Sequence, residues 1–199
     1  MTTGFLITPS LYNSWRYWMD SDGEDKTEIL DTLNKVEKPK SAAMQAGIDF
    51  ENDIRKVCEG GTTDDDCVME VANIVRGGMW QQRLSRELGG DLVYGIADVI
   101  RRDTIYDIKR VNQYELGKYE ESIQHLIYLY AGEIPNFDYL ISDSHSVYVE
   151  TYHWESKSLD LLKARIADLK DFLLSDNELS LAFNKNWKYR QEEKNGLLG

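Results

Sequence analysis

Apolar and polar positions are most regularly ordered between Met79 and Val111, and that stretch predicts the centre of the fold. Met79 to Glu87 reads as a strand entered after Gly77-Gly78. Leu92 to Ile100 is an almost unbroken apolar or small run with one carboxylate, Asp98. Thr104 to Val111 is β-branched and aromatic, with Asp107 and Lys109 inside it. Gly89-Gly90 and the Arg101-Arg102-Asp103 segment separate the three runs, which predicts a three-stranded meander.

The parity of the second turn decides which side chains meet. If the loop is Arg102-Asp103, or the four residues from Arg101 to Thr104, residues whose numbers total 205 stand opposite each other, and Asp98 faces Asp107. A three-residue loop would put the two aspartates on opposite faces. Directly opposed side chains stand ~5 Å apart, and Lys109, two residues past Asp107, shares its face. Like charges placed so destabilise a sheet. A fold that keeps them needs a cation between them or a raised pKa on one. A divalent cation with oxygen ligands meets that need.

The flanking segments read mostly as helices. Thr8 or Ser10 caps a short one with Pro9 in its first turn, and Leu11, Trp15 and Trp18 recur at helical spacing as core rather than base-stacking residues, as does Trp80 further on. An acidic loop around Gly23 and a polar-faced helix from Thr27 to Val36 follow. Ser41 caps a helix that runs to about Cys58 and stops at Gly60-Gly61. Its stripe is Ala43, Gly47, Phe50, Ile54 and Val57, and Glu51 borders that stripe. A further helix covers 67–76 and another 115–131, in which Gln124 and Tyr128 share a face. Phe137 to Ser142 and Val147 to Trp154 predict a second hairpin. Ser156 or Ser158 caps an amphipathic helix to about Leu174, a last helix spans Asn177 to Arg190, and the tail to Gly199 is expected to fray. These elements predict an α/β fold, a central mixed sheet flanked by helices. One domain is expected over 1–199, with N-terminal helices in 8–76, sheet and site in 77–131, and a C-terminal hairpin and helices in 136–190.

Composition narrows the chemistry. With 199 residues, 42% apolar and 29% charged, the chain has the make-up of a soluble globular protein. No run approaches the ~18 apolar residues of a membrane helix, and MTTGFLITPS lacks the marks of a signal peptide, so the cytoplasm is expected, with no membrane partner. Cys58 and Cys67 are expected as free thiols, and His125, His145 and His153 show no metal-ligand spacing. A net charge of −12 argues against broad nonspecific nucleic-acid binding. Yet residues 76–118 carry eight basic against six acidic side chains, a local surplus of two that leaves the remainder at −14. Positive charge is thus concentrated around the paired aspartates, as phosphate binding requires.

GIAD (Gly95 to Asp98), DIK (Asp107 to Lys109) and QHLIY (Gln124 to Tyr128), in that order, resemble the motifs of the PD-(D/E)XK nuclease superfamily. The likeness is to its RecB-like branch, which includes phage exonucleases and CRISPR-associated RecB-like nucleases. GIDFE (Gly47 to Glu51) is similar to the branch's first motif, which often has His where Glu51 stands, and ITPSLYNSW looks like the start of such domains. The resemblance covers about Ile7 to Ala131. It implies a restriction-endonuclease-like core and Mg²⁺- or Mn²⁺-dependent hydrolysis of phosphodiesters. It also implies that Asp98 and Asp107 hold metal, with Glu51 and the Ile108 carbonyl completing the shell. Lys109 would orient the attacking water or offset charge, and Gln124, Tyr128 and Arg110 would position the strand. Many RecB-like enzymes carry four cysteines for an iron–sulfur cluster, and this chain cannot, so none is expected. The expected function is a DNA exonuclease on ends or single strands, in recombination, repair or phage DNA metabolism, with a recombination or phage protein as possible partner. Two rivals remain open: a nuclease-like binding or regulatory protein, such as an acidic DNA mimic or inhibitor, and a subunit active only in a larger complex.

Overall fold

The computed structural model describes residues 3–21 and 25–190; the middle of the acidic loop and the expected tail lie outside the described residues. The strands are β1 (Thr3–Ile7), β2 (Met79–Leu88), β3 (Asp91–Arg101), β4 (Thr104–Arg110), β5 (Asn136–Ser142), β6 (Val147–His153) and β7 (Lys188–Arg190). The helices are α1 (Pro9–Asp20), α2 (Thr27–Leu33), α3 (Ala42–Cys58), α4 (Asp66–Val75), α5 (Gln124–Gly132), α6 (Ser158–Ser175) and α7 (Asn177–Asn186). The strands form one mixed sheet in the order β6-β5-β4-β3-β1-β7, with β2 also paired to β3. This is the α/β architecture expected, a mixed sheet with helices on both faces.

Two apolar clusters cover the two faces. One gathers Leu11, Trp15, Ile105, Ile127, Tyr139, Leu169 and Phe183 from α1, α5, α6, α7 and the sheet. The other joins Phe50, Ile54 and Val57 of α3 to Val68, Val71 and Val75 of α4, over Val99, Tyr106 and Ile108. No helix among the described residues is long and apolar enough to cross a membrane.

Local signals were obeyed where they closed locally. Thr8 Oγ1 accepts from the Leu11 N–H at 3.2 Å, so Thr8 caps α1. Ser41 Oγ accepts from the Met44 N–H at 3.1 Å and caps α3. Trp15 is buried, and Trp18 and Trp80 are half-buried against the core. The α3 stripe is shorter than expected: Phe50, Ile54 and Val57 are buried, but Ala43 is exposed.

Three elements differ from expectation, each through a long-range contact. Phe5 to Ile7 belongs to a strand, β1, which runs parallel to β3 through Leu6↔Leu92 and Ile7↔Val93. The last helix stops at Asn186, and β7 pairs antiparallel with β1 through Gly4↔Tyr189 and Phe5↔Lys188. The helix expected from 115 starts only at Gln124, because residues 112–122 are drawn over β6 instead: the Gly117 N–H donates to Glu150 Oε1 at 3.2 Å, and Tyr114 stacks on Tyr148 at 4.1 Å. Ser158 does not cap α6 from outside; it is the first residue of that helix, and its Oγ accepts from the Glu155 N–H at 2.9 Å.

Candidate active site

β3 is paired to β2 from Asp91 to Ile100 with a break at Asp98, and its other edge is shared. At the turn end it pairs with β4 through Arg101↔Thr104, Ile100↔Ile105 and Val99↔Tyr106, pairs whose numbers total 205. The turn is therefore the two-residue Arg102-Asp103 loop, with Arg102 left-handed at φ 56°. At the other end the same edge of β3 pairs with β1. Between Val93 and Val99 that edge has neither partner, and the sheet forks. Asp98 and Asp107 lie at the crotch, in the register the turn dictates, one pair beyond the end of the regular ladder.

Two side chains take over the backbone groups that the fork leaves without a ladder partner. The Ile108 N–H donates to Asp98 Oδ2 at 2.8 Å. The Tyr128 hydroxyl donates to the Ile96 carbonyl at 2.8 Å. In an extended strand the N–H and C=O of one residue point to the same edge, so the Ile108 carbonyl also faces the gap.

β3 changes phase at this point. Val93 and Ala97 pack with the α5 side, and Gly95 lies under Tyr128, whose Cε1 would be 2.0 Å from any Cβ placed there. Val99, two residues past Ala97, packs on the opposite side with α3 and α4. Asp98 is the residue at which the inward face switches. It is therefore not a regular opposed partner of Asp107: its carboxylate lies against the β4 backbone, while Asp107 faces α5.

Asp107 is 2% exposed. Its Oδ1 accepts from the Gln124 carboxamide. The Lys109 ammonium lies 2.5 Å from Oδ2, yet Oδ2 receives no directed hydrogen bond. Gln124 and Tyr128 are one turn apart on α5, and Gln124 Nε2 is 3.4 Å from the Tyr128 hydroxyl. Burial, then the charge of Asp107, pushes the Asp98 carboxyl up to about 8. Burial opposes the charge on Lys109, but Asp107 and Asp98 outweigh it and hold its pKa above the usual value. Burial likewise raises Glu51, with Asp107 contributing and a Gln81 hydrogen bond opposing.

The expected residues are unequally gathered. Asp98, Asp107, Lys109, Gln124, Tyr128 and the Ile108 backbone surround the fork. Glu51 approaches from α3, where its Oε1 accepts from Gln81 Nε2 at 2.6 Å. Arg110 lies on the other face of β4, its guanidinium 4.9 Å from the Phe50 ring and bonded to Ser142 Oγ at 2.7 Å. Gln81 carried no sequence signal; its left-handed backbone is invisible in the residue type.

Lys109 and Gln124 open onto a cleft of about 430 Å³ whose other walls include Arg16, Tyr17, Lys118 and Tyr119. Tyr119 stacks on Tyr139 at 4.6 Å, and the Lys109 ammonium is 6.0 Å from the Tyr139 ring centre. Asp20 and Glu121 also line the cleft and lie 3.8 and 3.9 Å from Arg16, while Asp107 stands behind Lys109 and Gln124.

Three solved structures share this architecture. The chain aligns with SSO0001 at a TM-score of 0.56 and 14% identity, over 87% of this chain and 79% of that one. A putative exonuclease from Eubacterium rectale aligns at 0.56 and 15% identity, over 94% and 85%. LHK-Exo, solved in complex with dAMP, aligns at 0.54 and 13% identity, over 90% and 92%. The chain shares the nuclease-like α/β fold of these structures. No protein-family model matches the chain, and no curated protein matches it in sequence. The GIAD, DIK and QHLIY motifs lie on β3, β4 and α5 respectively.

The donor set fits a divalent cation in part. Asp107 Oδ2 is a buried oxygen with the Lys109 ammonium beside it, next to the half-buried Asp98 carboxyl group and a carbonyl edge, all hard oxygen donors. Among the described residues no three Asp, Glu, His or Cys side chains converge closely enough to hold an ion between them. The fork itself supplies Asp98, Asp107 and the Ile108 carbonyl, and Glu51 stands outside it.

Proposed function

We propose that the protein is a metal-dependent DNA nuclease, an exonuclease acting on ends or single strands. The reading is carried by the buried Asp107 carboxylate, paired with Lys109, in a forked sheet that opens on a cleft bearing Arg16, Lys109 and Lys118 beside Asp20 and Glu121. The nuclease-like fold and its exonuclease-titled neighbours support it. So does the local surplus of positive charge in a chain of net charge −12.

In this reading Asp98, Asp107 and the Ile108 carbonyl hold Mg²⁺ or Mn²⁺, with Glu51 at its margin. Such an ion, when bound, polarises a phosphate oxygen and acidifies a bound water. The remaining work falls to the chain. Lys109, held near Asp107, faces the attacked phosphate and offsets the charge that develops there. Gln124 fixes the Asp107 carboxylate through Oδ1, on the side away from Lys109. Tyr128 ties α5 to the β3 backbone and so holds Gln124 in place. Arg16 and Lys118 draw the backbone of the strand into the cleft, and Tyr17 and Tyr119 offer ring faces to bases. Arg110, committed to Phe50 and Ser142, supports α3 against β4 instead of touching the strand.

The test is degradation of end-labelled single- and double-stranded DNA with Mg²⁺ or Mn²⁺, by wild type, Asp107→Ala and Lys109→Ala. Wild type is expected to shorten the label progressively and both variants to lose the activity while still folding. Equal cleavage by all three removes the assigned site. No cleavage, together with no thermal stabilisation by metal, favours the acidic-mimic alternative.

A further inference from the structure

Among the described residues, five other than glycine have positive φ: Lys35, Gln81, Arg102, Glu133 and Ser144. Four of them lie at turns or helix ends, where such backbone is ordinary. Gln81, at φ 51°, lies inside β2. A left-handed residue in mid-strand is strained and persists only where its surroundings enforce it.

The surroundings are specific. Trp80 pairs with Val99 and Gln82 with Ala97, so Gln81 stands opposite Asp98, with no residue inserted or lost in the register. β2 changes phase there together with β3: Trp80 packs on the α3 and α4 side and Leu84 on the α5 side. The Gln82 carboxamide spans the kink and donates to the Trp80 carbonyl at 2.7 Å. The left-handed turn aims the Gln81 side chain at α3, where its Nε2 donates to Glu51 Oε1 at 2.6 Å. One residue thus faces Asp98 through its backbone and binds Glu51 through its side chain.

We infer that Gln81 is a positioning residue: it holds the Glu51 carboxylate at the edge of the Asp98–Asp107 fork and so strengthens divalent-cation binding there. The inference rests on the proposed reading of the fork as a metal site. The amide occupies Glu51 Oε1 and leaves Oε2 free. Without it the carboxylate sits on a side chain with several free torsions, in an environment that disfavours its charge. Outer partners of metal ligands change metal affinity by about 10- to 100-fold.

The two contributions of Gln81 can be separated. Gln81→Gly keeps the left-handed backbone and relieves its strain, but deletes the amide. Mn²⁺ binding is measured by the loss of the free-ion EPR signal for wild type, Gln81→Gly, Glu51→Ala, the double variant and Asp107→Ala, with metal-free melting curves for each. The expected result is about 10-fold weaker binding in Gln81→Gly, an unchanged or higher metal-free midpoint, and a double variant no weaker than Glu51→Ala alone. A residue that merely supported the strand would weaken binding equally with or without Glu51. Gln81→Asn tolerates the same backbone with a shorter amide, and repeats the test if the glycine variant melts early.

Binding by Gln81→Gly within twofold of wild type overturns the inference, as does a further loss on adding Gln81→Gly to Glu51→Ala. Wild type that binds no Mn²⁺, or Asp107→Ala that binds as wild type does, sinks the metal reading itself, and this inference with it. Binding lost in Asp107→Ala but kept in Gln81→Gly sinks the inference alone.

Discussion

The molecule contains the same chemical pair twice, with different surroundings. Asp91, at the start of β3, and Asp107, in β4, are both almost fully buried, and each has a lysine ammonium beside it: Lys170 at 2.6 Å and Lys109 at 2.5 Å. Around Asp91 every oxygen is used. Oδ1 accepts from the Phe5 N–H at 2.9 Å, and Oδ2 accepts from Lys170, whose ammonium also lies 5.4 Å from the Phe5 ring. That pair ties β1, β3 and α6 together and has nothing left to offer a ligand. Around Asp107 one oxygen is bound by Gln124, and the other has a cation near it but no directed hydrogen bond. A buried oxygen left in that state costs stability. The difference lies in what holds each carboxylate: at Asp91 a backbone N–H that locks β1 to β3, at Asp107 two side chains at an open fork of the sheet.

The largest effect that would break this comparison is on activity. Asp107→Ala is expected to lower DNA cleavage on the order of 10³-fold in protein that still folds. Asp91→Ala is expected to do the reverse. It strands Lys170 and should cost about 3 kcal/mol in urea unfolding, the low end for a buried pair because Lys170 reaches solvent. Its remaining folded fraction should cleave at the wild-type rate. If Asp91→Ala instead kills cleavage in well-folded protein, the division into a structural and a chemical pair is wrong.

His125 sharpens the point from another side. Its Nδ1 is buried without a partner, its ring stacks on Tyr152 at 4.2 Å, and it does not border the cleft. Burial, helped by Arg165, lowers its pKa from 6.5 to about 4. The unfolded chain therefore binds a proton that the folded chain refuses as pH falls from 6.5 to about 4. Stability is fully present above that window and should drop by about 3 kcal/mol across it. His125→Phe should flatten that drop in urea titrations at a series of pH values and leave neutral-pH cleavage within about twofold. An unchanged acid slope would show that the ring is not held neutral by its packing.

The smallest effect concerns how Asp107 is aimed. Gly95→Ala forces a methyl against Tyr128 and should cost about 1–3 kcal/mol, with a larger fractional loss of cleavage than of folded protein. A loss of both in the same proportion would mean that α5 supports the fold but does not aim Gln124.

Much of this was legible because it closed locally. The register of β3 against β4 at the turn matched the two-residue loop the sequence allowed, but the face of Asp98 did not follow from it. Ser41 and Gly60-Gly61 bounded α3 by backbone chemistry within one turn of its ends. What stayed hidden depends on distant partners. The stretch before Gln124 has helical composition, but Glu150, far along the chain, claims the Gly117 N–H. Lys188 to Arg190 is too short to announce a strand and exists because β1 has a free edge. The kink at Asp98 was illegible for a different reason. Leu92 to Ile100 is apolar on both faces, so a switch of face leaves no mark, and glutamine gives no hint of a left-handed backbone.

The seat of α5 has a further consequence. Because Gly95 lets the Tyr128 ring rest directly on the β3 main chain, the helix takes its height from the sheet and not from interlocking side chains that drift with each substitution. The cleft walls around Arg16, Tyr17 and Lys118 can then be rebuilt, lengthened or recharged while Gln124 stays aimed at the same oxygen. Altered substrate preference should accordingly be reachable by surface changes alone, without any retuning of the interior.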